Sequence, residues 1–123
     1  MLRILIVDDS SFQRKILTGL LKDPGFEILV SETAMDGIEQ AGAQKPDVII
    51  TDLLMPDKDG FWFMNEMRSK KIGTPIIIVT SDIQESTREK CMGMGACSFL
   101  NKPVKKEDLY AAITAAVLGG VRK

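Results

Sequence analysis

The chain has 123 residues, of which 45% are hydrophobic and 27% charged, and its formal net charge is −1. These figures describe one ordinary globular domain over residues 1–123 and exclude a global field that would draw it to nucleic acid or anionic lipid. It contains no histidine, so histidine catalysis and histidine-ligated metal are excluded outright.

The N-terminus runs straight into the strand-like stretch Arg3–Val7, which ends at Asp8-Asp9. That apolar run is too short for a signal peptide, and no stretch approaches the roughly 20 apolar residues needed to cross a bilayer. A soluble, cytoplasmic protein is expected. Ser11–Lys22 then reads as a helix, with Phe12, Ile16, Leu17, Leu20 and Leu21 on one stripe. Ser10 or Ser11 can cap its start, and Pro24-Gly25 stops it. A more mixed strand, Phe26–Val30, suits a position near a sheet edge. Thr33–Gln44 is helical, with Ala34, Ile38 and Ala41 together.

The strand Asp47–Thr51 ends at Asp52 and is followed by LLMPDKDG. In that loop Pro56 and Gly60 fix a turn, with Asp57 and Asp59 supplying turn chemistry. A helix over Phe61–Lys71 carries Phe63, Met64 and Met67. The strand Pro75–Val79 ends at Thr80, and a weakly amphipathic helix covers Ile83–Met94. The last strand, Cys97–Leu100, runs into Lys102-Pro103. The last helix, Lys106–Leu118, buries Leu109, Ala112, Ile113, Ala116 and Val117, and Gly119-Gly120 ends it. The two cysteines, Cys91 and Cys97, form no CxxC pair and read as reduced small hydrophobes.

Strands alternating with helices imply βαβ units and a parallel sheet covered on both faces. Right-handed crossovers make this a doubly wound (βα)5 α/β sandwich in three layers. In such a sheet, ligands sit outside the carboxyl ends of the strands. Asp8, Asp9, Asp52, Thr80 and Lys102 all fall at those ends. Three close carboxylates repel one another unless a cation lies among them. Mg2+ suits such a set, because it takes a few carboxylates plus water and phosphate oxygens. A carboxylate beside that cation can act as a nucleophile toward phosphorus. Taken singly, each residue has a plain structural reading: a helix cap for the acids, a strand end for Thr80, a solvated charge for Lys102.

The pieces ILIVDDS, PDVIITDLLMPDKDG, PIIIVTS and FLNKPV together resemble the receiver domain of two-component response regulators, over essentially the whole chain. The resemblance implies the flavodoxin-like fold with strand order 2-1-3-4-5. It implies that Asp52 is the phosphoacceptor and that Asp8, Asp9, Asp52 and the backbone carbonyl of Leu54 hold Mg2+ or Mn2+. Thr80 becomes the switch hydroxyl and Lys102 the phosphate contact, with Pro103 in a cis bond. Phe99 takes the aromatic switch position. Ile83, Asn101 and Lys105 fall on the expected output face, which comprises the fourth helix, fifth strand and fifth helix.

The implied partners are a histidine kinase or phosphotransfer protein and a downstream target protein. Direct nucleic-acid contact and membrane insertion are not expected. The chain is expected to be a monomer or a weak, phosphorylation-dependent dimer. It would act as a signalling switch that catalyses only its own phosphorylation and dephosphorylation. Lys102 and Thr80 are expected to couple phosphorylation to the output face more than to hold the fold together.

Departures lie outside the acid set. Phe99 lacks a tyrosine hydroxyl, Leu54 is apolar two residues after Asp52, and Lys105 stands where a helix cap is expected. Leu54 also counts against a dehalogenase-type phosphohydrolase, which wants an acid there. The loop DDSS counts against a flavin carrier, since it repels phosphate unless a metal intervenes. An unphosphorylated receiver used only for binding is disfavoured by the intact acid set.

Overall fold

The computed structural model describes residues 1–121. Among them, strands and helices alternate in chain order: β1 (Leu2–Val7), α1 (Ser11–Leu20), β2 (Phe26–Ser31), α2 (Ala34–Gln44), β3 (Val48–Thr51), α3 (Gly60–Ser69), β4 (Ile76–Thr80), α4 (Glu85–Gly93), β5 (Ser98–Asn101) and α5 (Lys106–Val121). The strands form one parallel sheet in the order β2-β1-β3-β4-β5. The expected flavodoxin-like three-layer α/β sandwich is therefore the observed one.

The apolar runs explain the layers. Successive side chains of a strand point to opposite faces, so each central strand feeds two cores. On one face Leu5, Val7, Ile49 and Ile78 pack with Ala34, Ile38, Phe63 and Met67 from α2 and α3. On the other, Ile4, Ile6, Ile50 and Ile77 pack with Leu17 and Leu21 beside Leu109 and Ile113. A fully buried leucine or isoleucine contributes on the order of 2 kcal/mol by leaving water. β2 lies at an edge and leaves Val30 exposed, which accounts for its mixed composition.

Several helix starts are fixed by side chains. The hydroxyl of Ser10 accepts from the Gln13 N–H, that of Thr33 from Asp36, and the carboxylate of Asp59 from Trp62. These bonds satisfy amides that a helix leaves unpaired at its first turn. Ser10 is thus the cap of α1, not Ser11.

Some expectations are corrected. Phe12 and Ile16 do not join the core. They are 70% and 37% exposed, because the α1 segment meets the core through Leu17, Leu20 and Leu21. α4 starts at Glu85, which leaves Ile83 in the preceding loop and 81% exposed. α5 does not stop at Gly119-Gly120 but continues to Val121. A glycine lowers helix propensity by about 1 kcal/mol without forbidding the conformation.

Candidate phosphorylation site

The register of the sheet sets two acids side by side. Val7 of β1 pairs with Thr51 of β3, so the next residues, Asp8 and Asp52, leave neighbouring strands at the same level. The ladder continues one step beyond the strands, with the Asp8 N–H donating to Ser31 and the Asp52 N–H to Val7. β1 and β3 flank the point where strand order reverses, which is the ligand crevice of an open α/β sheet. From β5, Lys102 reaches the same place. Its N–H donates to the carbonyl of Thr80 at 2.9 Å, and its Nζ donates to Asp52 Oδ2 at 2.8 Å and to Asp8 Oδ2 at 3.3 Å. The Lys102–Pro103 peptide is cis.

The loop after β3 holds Asp52 by its backbone. The N–H of Leu53 donates to Asp52 Oδ1 at 2.7 Å. Gly60 closes the loop by donating its N–H to the carbonyl of Leu53. A Cβ on Gly60 would lie 2.5 Å from the backbone oxygen of Asp52, so no side chain fits there. Asp57 takes the left-handed conformation, φ 68°, that turns the loop, a role aspartate tolerates.

The site carries one uncompensated negative charge. Asp8 is 2% exposed and Asp52 is buried, and Lys102 supplies a single ammonium to both. Burial raises the pKa of Asp8 above its ordinary 3.8. The Ser10 N–H and the Lys102 charge oppose this, and the charge of Asp52 reinforces it. Lys102 moves the other way. Burial alone would lower its pKa, but its hydrogen bond to Asp52 and the charges of Asp52 and Asp8 together raise it. The two directions agree once the stoichiometry is counted, with two carboxylates sharing one cation.

A stability consequence follows from the sign. The folded state binds the Asp8 proton more tightly than the unfolded chain, so ionised Asp8 opposes folding. That cost is absent below the unfolded pKa and complete above the raised folded one. Asp8→Asn should therefore raise the melting temperature of metal-free protein at neutral pH by a few degrees. The gain should vanish below about pH 4, where the unfolded carboxyl is protonated. Melting curves of the two proteins in EDTA across that range provide the check. An unchanged melting temperature at neutral pH would remove the argument.

The remaining predicted residues divide. Asp9 is exposed and makes no hydrogen bond to any described residue. Among the described residues, no three His, Cys, Asp or Glu side chains are grouped to hold one ion. Thr80 is fully buried at the end of β4, with its hydroxyl accepting from the Asp82 N–H at 3.2 Å. Phe99 is buried on the α3–α4 side of the sheet. Asn101 donates to the carbonyl of Asp82 at 2.9 Å, and Lys105 starts α5 through its carbonyl, which accepts from Leu109. Leu54 is 72% exposed, with its N–H 3.5 Å from Asp52 Oδ1.

Arg14 was not legible beforehand. It donates to the carbonyl of Asp8 at 2.8 Å and pairs with Glu32, tying α1 to the acid loop. Nothing in a lone arginine on an amphipathic helix marks that role. The turn at Asp8, whose Oδ1 accepts from the Ser10 N–H, does have a signal in the Asp-x-Ser spacing.

Two hard, buried oxygen ligands with an excess of negative charge fit a small divalent cation. Mg2+ binds through one or two carboxylates and fills its other positions with water and substrate oxygens.

A buried carboxylate pair bridged by a lysine, at the strand ends of a 2-1-3-4-5 sheet, defines the class. The sequence matches the response regulator receiver domain over residues 4–114. It is 37% identical over 121 residues to protein PilH of Pseudomonas aeruginosa, covering 97% of this chain and 100% of PilH. It is 32% identical over 117 residues to the KDP operon transcriptional regulatory protein KdpE of Escherichia coli, covering 95% of this chain but 52% of KdpE. The chemotaxis protein CheY4 of Vibrio cholerae has the same fold with a TM-score of 0.86 at 29% identity, over 94% of this chain and 98% of that one. The chain belongs to the response regulator receiver domain family, the CheY-like switches of two-component signalling.

Proposed function

We propose that this protein accepts a phosphoryl group from a phosphohistidine on Asp52 and uses it to switch the face formed by α4, β5 and α5. The observation that supports this reading best is the geometry of Asp52. One carboxylate oxygen is fixed by the Leu53 N–H and the other by the Lys102 ammonium. The carboxylate is therefore oriented by two donors at the mouth of the sheet, before any donor arrives.

Each residue then has a task. Asp52 supplies the attacking oxygen, and the carboxylate–phosphorus bond forms as the bond from phosphorus to the donor nitrogen breaks. Lys102 already touches Asp52 and neutralises charge that develops on the phosphoryl oxygens. Thr80, at the end of the adjoining strand, has a hydroxyl whose proton is free to be donated to a phosphoryl oxygen. Asp8 and Asp52, completed by exposed Asp9 and the carbonyl of Leu54, would hold Mg2+ or Mn2+. When bound, that cation supplies charge neutralisation at the phosphoryl oxygens. Phe99 and α4 form the two-state element that reads the event, and Asn101, Lys105 and Ile83 present it.

The proposed donors are a histidine kinase or phosphotransfer protein, and the output is a target protein, met as a monomer or weak dimer in the cytoplasm. No described helix is long and apolar enough to cross a membrane. The reading also holds that the chain turns over no other substrate and makes no direct nucleic-acid contact.

The test is intact mass and peptide mapping after incubation with a small-molecule phosphodonor. The expected result is one phosphoryl group, on Asp52, gained with Mg2+ and not with EDTA. Label on another residue, or equal labelling in EDTA, would overturn the assignment.

A further inference from the structure

We propose that Thr87 of α4 and Asp82 form a latch that holds Thr80 in the unphosphorylated position, so that phosphorylation releases the first turn of α4 by opening the Asp82–Thr87 hydrogen bond. The inference rests on the reading of Thr80 as the switch hydroxyl and adds the residues that oppose its movement.

The latch is a short chain of contacts. The Asp82 N–H donates to Thr80 Oγ1 at 3.2 Å. The Asp82 carboxylate in turn accepts from the Gln84 N–H at 2.9 Å and from the Thr87 hydroxyl at 2.9 Å, one oxygen for each. Asp82 is thereby clamped to the start of α4. Its carbonyl is also held, by Asn101 Nδ2 at 2.9 Å, which fixes the loop against β5. The backbone of Thr80 is pinned as well, because its carbonyl accepts from the Lys102 N–H. Thr80 can move toward a phosphoryl group only by turning its side chain, and that disturbs the one bond linking it to Asp82.

Two bonds compete to break. If the Thr80–Asp82 bond broke alone, the amide of Asp82 would lose its partner in a half-buried loop, and an unpaired buried donor is unfavourable. If Asp82 follows Thr80 instead, the bond to Thr87 opens. The Asp82 carboxylate and the Thr87 hydroxyl, both partly exposed, can then each bond to water. The second route leaves fewer groups unpaired, so the strain passes to α4.

α4 is built to receive it. Its N-cap residue Gln84 makes no side-chain cap, so the start of the helix depends on Asp82 from outside it. Of its nine residues only Cys91 is buried. Beyond Cys91 its other holds, Lys90 over the Phe61 ring and Arg88 at the Phe99 carbonyl, lie past the first three residues, so the start of the helix loosens when the carboxylate leaves.

Removing the Thr87 hydroxyl should therefore weaken the free state selectively and favour the phosphorylated one. The probe is beryllofluoride, a phosphoryl mimic, titrated in Mg2+ and followed by NMR amide shifts. Thr87→Val should bind it about three- to tenfold more tightly than wild type, the equivalent of one hydrogen bond removed from the free state alone. Thr87→Ser, which keeps the hydroxyl, should return the affinity to the wild-type value. Ordinary structural damage would weaken binding instead, so the sign separates the two. If Thr87→Val does not fold, Thr87→Ala is read in its place. Equal or weaker binding by the hydroxyl-less variant, with wild type binding normally, would overturn the latch alone. No binding by wild type would overturn the reading of Asp52 on which it rests.

Discussion

Lys102→Ala is expected to unfold more readily than wild type in metal-free buffer, by about 3 kcal/mol, and to regain much of that loss when Mg2+ is added. The ammonium it removes is the single cation on two buried carboxylates, at 2.8 and 3.3 Å. Truncating one partner of a buried pair strands the remaining charges, which costs far more than the pair gains over neutral groups. The raised pKa of Lys102 has the matching sign. Its contribution to stability is complete below the unfolded lysine pKa and is lost only as pH rises through the folded one, so at neutral pH it is fully present.

Mg2+ would address the same carboxylate oxygens, and in wild type it meets an ammonium already there. The rise in melting temperature on adding Mg2+ should therefore be larger in Lys102→Ala than in wild type. Phosphorylation by a small-molecule donor should slow by about 100-fold, the usual scale for a lost charge-stabilising group. Melting curves with EDTA and with Mg2+, together with the rate of mass gain, measure all three. A wild-type melting temperature in EDTA would show that the two acids do not need the ammonium, and a wild-type rate would remove Lys102 from the reaction. This modifies the expectation that Lys102 serves coupling more than the fold, because sequence shows a lysine at a strand end but not that two buried acids await it.

The strands were legible because their composition carried a physical requirement. VIIT and IIIVT have no polar face, so they had to lie between two apolar layers, and both are buried throughout. Five alternations then left little freedom in topology, and residues just past the strand ends had to share one edge. The structure brings Asp8, Asp52 and Lys102 together at that edge. The exposure of Asp9 was not foreseen, because a strand-end position does not say which way a side chain turns. Successive residues diverge, and Asp8 took the inward place while Asp9 stayed exposed.

Helix ends and faces were read less well, for a related reason. Phe12 and Ile16 obey the spacing of an apolar stripe, yet the α1 segment packs through Leu17, Leu20 and Leu21, and only tertiary docking decides which part of a stripe is covered. The glycines of α5 look like a stop, but its apolar residues from Leu109 to Ala116 anchor the helix well enough to carry it past them. The Asp82–Thr87 contact was beyond reach. Asp82 is a plausible cap in sequence, but its reach to a hydroxyl five residues on depends on the loop that leads into α4.

A comparatively long-lived phosphorylated state is expected, with Leu54→Asn losing its phosphoryl group about tenfold faster. Hydrolysis of an aspartyl phosphate needs water held in line with the bond to the carboxylate oxygen. Leu54 and Asp82 are the side chains two residues beyond the proposed phosphoacceptor and switch hydroxyl. On sequence alone, Leu54 could cover the phosphorus, and Asp82 could orient a water but adds negative charge beside an anionic group, so shielding by Leu54 is the stronger effect. The geometry alters the reason and keeps the result. Leu54 is 72% exposed, too far out of the site to seal it, but its side chain offers no hydrogen bond to a water. In the unphosphorylated state the Asp82 carboxylate is engaged by Gln84 and Thr87, one oxygen each; once the latch opens, the Gln84 N–H still holds one oxygen and the phosphoryl charge repels the other, so it does not draw a water into line. Neither residue places the attacking water, so water enters without being aimed. Asparagine at 54 adds a donor and an acceptor near Asp52, and a positioned hydrogen-bonding group accelerates such a step by orders of magnitude when its geometry is ideal. A flexible surface asparagine should realise a fraction of that, hence about tenfold. The measurement is loss of radiolabel from phosphorylated wild type and Leu54→Asn at equal Mg2+. Equal or slower loss in the variant would show that water access, not water orientation, limits the lifetime, and would leave the phosphoacceptor assignment untouched.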